Sequence, residues 1–152
     1  MKEDIWILSA DTHKARIFCA RQPHSQDIVE IKDFVQPETA MRAQDLQTDN
    51  LGRFSQGGAQ QHSSRVPQTS LKEKNTTEFA RKIAHYLEAE HKKGNFQNLG
   101  LIAAPDMLGE LRAHLSPALT KEISFSLDKN VTQLNAQELR SHLPDKLAAA
   151  RL

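Results

Sequence analysis

Cysteine is almost missing from this chain of 152 residues, and Cys19 stands alone. One thiol cannot close an internal disulfide or build a cysteine-rich zinc site, which fits a reducing compartment. Aromatic residues make up only 5% of the chain. The core must therefore come from Leu, Ile, Val and Ala. No apolar run approaches the ~18 residues of a membrane span. The stretch that follows Met1-Lys2-Glu3-Asp4 is also too short for a secretion signal. Charge of one sign is lacking too. Lys plus Arg total 20 against 19 Asp plus Glu, a net of +1. That excludes a uniformly basic nucleic-acid coat and a uniformly acidic mimic, and leaves room for a local patch. A hydrophobic fraction of 38% with 26% charged residues suffices for one packed core with a solvated surface. These features predict a soluble, cytoplasmic, single-domain protein over 1–152, with no membrane partner.

What is present falls into three blocks. Ile5 to Ala10 reads as a strand buried on both faces, because it carries no charge and almost no polarity. The turn residues Asp11-Thr12-His13-Lys14 lead to a second strand at Ala15 to Ala20, so the pair forms a hairpin. A third strand is expected from Asp27 to Val35, where Val29 and Ile31 alternate with Glu30 and Lys32.

The middle block is a long flexible loop at about 36–74, rich in Gln, Ser, Thr and Gly and without clean periodicity. Met41 to Leu46 has the makings of one or two helical turns.

Order returns at Asn75, which has capping-box spacing to Glu78. Phe79, Ile83, Tyr86 and Leu87 give a helix one apolar stripe, and Gly94 is its natural stop. Leu99 to Ala104 reads as a buried strand. Pro105 opens a helix whose apolar face is Met107, Leu108, Leu111 and Leu115. Ile123, Phe125 and Leu127 alternate with Ser124, Ser126 and Asp128, as in a half-buried strand. Asn135 and Glu138 repeat the capping-box spacing, and 146–152 has weak helical character.

The order β-β-β, loop, α-β-α-β-α, joined by right-handed crossovers, predicts an α/β fold. Its mixed five-stranded sheet would run 3-2-1-4-5 with helices packed on it. That is the layout of a ribonuclease-H-like domain.

The opening Ile7 to Phe18 (ILSADTHKARIF) resembles that of bacterial host-attachment proteins, described as required for attachment to host cells. The likeness continues through Glu78-Phe79-Ala80 and Ala103-Ala104-Pro105, then Leu108-Gly109-Glu110-Leu111-Arg112. It ends with Leu127 to Thr132 (LDKNVT), Glu138-Leu139 and His142-Leu143. Short pieces like these in the right order are fairly specific. The resemblance implies kinship with the middle domain of archaeal and eukaryal class I peptide-release factors. That domain is ribonuclease-H-like and carries a Gly-Gly-Gln loop into the ribosomal peptidyl-transferase centre. The name of the family describes a phenotype and gives no chemistry.

Three constellations follow. The segment Gly52 to Arg65 occupies the position of the release-factor loop. From Arg53 through Lys72 it holds three cations, Arg53, Arg65 and Lys72, and no acids. Gly57 and Gly58 permit close backbone approach to a phosphate or tRNA end, and the arginines supply forked contacts. The order here is Gly57-Gly58-Ala59-Gln60, with an alanine before Gln60, so the resemblance implies ribosome or RNA binding without strong catalysis. The alternative is a solvated surface loop.

Asp11, Asp106 and Asp128 lie at the ends of neighbouring strands, where carboxylates could hold Mg²⁺ for a nuclease. A turn role for Asp11 and a helix-start role for Asp106 are the simpler readings.

The polar cluster Asp11, Arg16, Asp128 and Lys129 reads as an ion-paired network. Neither a metal nor another cofactor is expected, and no catalytic residue is assigned. The expected partner is the ribosome or structured RNA. A divalent-metal nuclease and a protein-interaction adaptor acting indirectly in attachment are the alternatives.

Overall fold

The computed structural model describes residues 4–36 and 67–148. Its elements are β1 (Ile5–Ala10), β2 (Lys14–Ala20), β3 (Val29–Val35), α1 (Pro67–Lys92), β4 (Asn98–Ala103), α2 (Pro105–His114), α3 (Pro117–Thr120), β5 (Ile123–Asp128) and α4 (Ala136–Arg140). The five strands form one sheet in the order β3-β2-β1-β4-β5. β1 runs antiparallel to β2, as β2 does to β3. β1 runs parallel to β4, as β4 does to β5. The mixed sheet and its strand order are those the element sequence predicts.

Every residue of β1 and β4 is buried. The cause is their central position, with a covered face on each side. On one side Trp6, Leu8, Ile17 and Leu101 pack with Phe79, Ile83 and Leu87 of α1 and Met107, Leu108 and Leu111 of α2. On the other, Ile5, Ile7, Phe18 and Ile102 pack under Leu139, Leu143 and Leu147. Gly100 is required by close approach, because a Cβ there would fall among the ring carbons of Phe125 on β5. Gly94 has φ +78°, a left-handed conformation suited to the stop after α1.

Four expectations need correction. The long helix begins at Pro67, not Asn75, so residues 67–74, expected to be loop, are helical. Proline suits a helix start, and the i,i+3 spacing of a capping box also occurs inside helices. Asn75 lies within α1, where its carbonyl accepts from Gln36 Nε2 at 3.3 Å. The tail at 146–148 is not helical. Its Leu147 is fully buried, donates its N–H to the Pro23 carbonyl at 2.7 Å, and accepts from Ser124 Oγ at 2.6 Å. An irregular backbone can serve two such elements at once; a helix would spend the same groups internally. Strand β3 starts at Val29, leaving Asp27 outside it. Cys19, a lone thiol in a strand and so expected to be buried, is half-buried at the margin of the α1-side core.

The short helix α3 was not anticipated. Ser116 caps it by accepting from Leu119 N at 3.1 Å. The capping box of α4 forms as its spacing predicts, with Glu138 N donating to Asn135 Oδ1 at 2.8 Å.

Candidate functional site

Helix α1 turns Phe79, Ala80, Ile83, Ala84 and Leu87 into the core. With 3.6 residues per turn, the opposite side must carry positions 74, 78, 81, 82, 85, 89 and 92. These are Lys74, Glu78, Arg81, Lys82, His85, Ala89 and Lys92, and all are exposed. Four cations and a histidine thus share one outward row with one acid. The row spans ~27 Å at 1.5 Å per residue.

None of its cations makes an ion pair among the described residues. The acids later in α1 are turned aside and occupied. Glu88 accepts from Ser116 N at 2.7 Å and Ser116 Oγ at 2.9 Å. Glu90 accepts from Lys93 Nζ at 3.2 Å and Asn95 Nδ2 at 3.1 Å. The charge on the row is therefore open to solvent while the neutralising charge points elsewhere.

Lys72, expected to act with the loop cations, is exposed near the start of α1 but off this row. It lines a cleft with Glu73 and Thr76 of α1 and Asp106 and Glu110 of α2. Its surroundings are acidic. Arg53, Gly57, Gly58, Gln60 and Arg65 lie outside the described residues.

The polar cluster is resolved into a network on the far face of the sheet. Arg16 holds Glu30 with two bonds, from Nε at 2.9 Å and from Nη2 at 2.7 Å. Its Nη1 donates to the carbonyls of Thr132 at 2.8 Å and Leu134 at 2.7 Å. Thr132 Oγ1 donates to Asp11 Oδ2 at 2.6 Å. The other oxygen, Asp11 Oδ1, accepts from the backbone N–H of His13 at 2.7 Å and Lys14 at 2.8 Å. Thr132 thus joins Asp11 to Arg16. Asp128 and Lys129 are exposed and make no side-chain hydrogen bond or ion pair among the described residues, so they stand apart from this network.

The electrostatics agree with a structural staple. Burial pushes the Asp11 carboxyl up, but the bonds from Thr132, Lys14 and His13 outweigh it and hold the group below its usual range. The Arg16 hydrogen bond holds Glu30 down at about 2, helped by a hydrogen bond with Asp33. Asp33 is pushed up by that same bond to Glu30. Among the described residues no group of three or more His, Cys, Asp or Glu side chains is placed to hold a metal ion.

Sequence reasoning missed the α1 row, Glu30 and Thr132. The row was legible, since Lys74, Arg81, Lys82, His85 and Lys92 fall in the gaps of the apolar stripe. Nothing local pointed to the pairing of Glu30 with Arg16, because the two are brought together by the register of β2 with β3.

Fold and site together define a mixed α/β sheet domain, covered on both faces, that presents a basic helix to solvent. The family model described as "Protein required for attachment to host cells" matches residues 6–143, and the chain belongs to that family. No curated protein matches it. Among solved structures it is similar to an archaeal translation termination factor, aRF1, at 10% identity and a TM-score of 0.43. That alignment covers 86% of this chain and 31% of the other, so this chain spans under a third of its length.

Proposed function

We propose that this domain binds structured RNA, on the ribosome or free, through the outward face of α1 and the cations of the segment before it. The observation that carries the reading is the row Lys74, Arg81, Lys82, His85 and Lys92, exposed along one side of the helix with Glu78 as its single acid. Unpaired cations spaced along a rigid rod match the repeating charge of a phosphate backbone. Arg53 and Arg65, with the backbone of Gly57 and Gly58, add contacts from the preceding segment, and Gln60 has a local positioning role. The protein works in the cytoplasm, where ribosomes are, as a binding module without strong catalysis.

The test is co-sedimentation with ribosomes and direct RNA titration at several salt concentrations. Each phosphate contact contributes a slope of roughly 0.9 on duplex or 0.7 on single strands in log affinity against log salt. Arg81→Ala with Lys82→Ala should weaken binding and flatten the slope by about 1.4–1.8 units. Arg53→Ala and Arg65→Ala should each remove about one unit. Superimposable curves for wild type and all these variants would refute the reading. Mg²⁺-dependent RNA cleavage that is lost in Asp11→Asn would replace it with a nuclease. Binding to a protein partner that survives ribonuclease treatment would favour an adaptor.

A further inference from the structure

Arg140 is a buried cation that the proposed RNA surface does not use. It is 5% exposed, on α4 beneath the far face of the sheet. Its Nε donates to the Ser25 carbonyl at 2.6 Å, Nη1 to Pro144 at 2.9 Å and Nη2 to Asp145 at 2.8 Å. All three acceptors are main-chain carbonyls. No carboxylate pairs with this guanidinium among the described residues. Carbonyl dipoles reduce the cost of burying the charge, but they do not cancel it. A guanidinium also has five N–H donors, and three are accounted for.

The same residue lines a cleft of about 470 Å³ between the 26–28 segment and α4. That size falls within the ~300–1,000 Å³ range of small-molecule sites. Asp27, from the 26–28 segment, also lines the cleft. It is exposed and makes no hydrogen bond or ion pair among the described residues. Gln26, Gln137 and Ser141 add amide and hydroxyl groups to the lining. The lining of one cleft therefore includes a cation without a carboxylate partner and an anion without a cationic partner among the described residues, with neutral donors and acceptors beside them.

We propose that this cleft is a binding site for a small zwitterion of the amino-acid class, with its carboxylate toward Arg140 and its ammonium toward Asp27. A simple anion would satisfy Arg140 but meet repulsion from Asp27. A simple cation would meet the reverse. Only a ligand carrying both charges gains from both groups.

The experiment is an NMR titration of the full ¹⁵N-labelled chain with L-alanine, propionate and ethylamine in turn. L-alanine should give saturable shifts at residues 26–28 and 136–141, with an affinity at least about tenfold above either single-charge probe. Asp27→Asn should bring the alanine affinity down to that of propionate and leave propionate binding no weaker. Gln137→Trp fills the cleft without touching the carbonyl bonds of Arg140, and should abolish the shifts while the rest of the spectrum stays folded. The absence of saturable shifts with any probe would overturn the proposal and leave Arg140 as a staple between two loops. Equal affinity for alanine and propionate would overturn the zwitterion assignment.

Discussion

Gly100→Ala isolates the contact between β4 and the edge strand β5. An ideal Cβ on Gly100 falls within 2.8 Å of three ring carbons of Phe125, closer than packed carbons can lie. Two responses are open. The ring can stay and force its neighbours apart, which costs about 1–3 kcal/mol for overpacking. Alternatively it can swing toward solvent, since Phe125 is only half-buried. Full burial of such a side chain contributes about 1.5–3 kcal/mol, so losing a partial share costs about 1–2 kcal/mol. The cheaper route sets the outcome, and we expect about 1–2 kcal/mol of destabilisation. At roughly 2–4 °C per kcal/mol for a chain of this size, the melting temperature should fall by about 2–8 °C. The assay is thermal and urea denaturation followed by circular dichroism in a double-mutant cycle. In a Phe125→Leu background the ring carbons are gone, so the same alanine should cost about 1 kcal/mol less. An identical cost in both backgrounds would refute the close-approach account of Gly100.

The Arg16–Glu30 pair predicts acid sensitivity. The folded pKa of Glu30 is depressed from 4.5 to about 2, so its stabilisation is complete above pH 4.5 and is lost as the pH falls toward 2. Asp33 shifts the opposite way and offsets part of this. Glu30→Gln should therefore flatten the acid limb of urea midpoint against pH, and an unchanged limb would count against the network. Glu30 is partly exposed and Asp33 is exposed, so solvent screening keeps the effect modest. Leu147→Ala deletes a fully buried side chain. It should cost about 2–5 kcal/mol in urea unfolding; a cost below about 1 kcal/mol would show that the tail does not seal the far face of the sheet.

Much of the architecture was written locally. The nearly unbroken apolarity of Ile5–Ala10 and 99–103 marks central strands because only a strand covered on both sides can dispense with alternation. The capping box at Asn135 was legible because its two hydrogen bonds join residues three apart, so no distant partner is involved. The same pattern misled at Asn75, because i,i+3 spacing does not distinguish a helix start from a helix interior.

For this protein the sequence alone settled the five strands, the helices α1, α2 and α4, the order of these elements and the apolar stripes of α1 and α2, since these depend on periodicities of two and 3.6 residues. It also contained the family's pattern in short pieces spread along nearly the whole chain. Tertiary structure alone decided the partners of charged side chains. Arg16 meets Glu30 through strand register and meets Thr132 and Leu134 across more than a hundred residues of chain. Arg140 reaches Ser25 at a separation of 115 residues. Tertiary structure likewise decided that Leu147 is core although its backbone is irregular. The physical reason is the range of the interactions. Backbone hydrogen bonds within a helix and the alternation of a strand are read over a few neighbouring residues. A guanidinium's acceptors and a tail's resting place are set only when the sheet has closed and its two faces are covered.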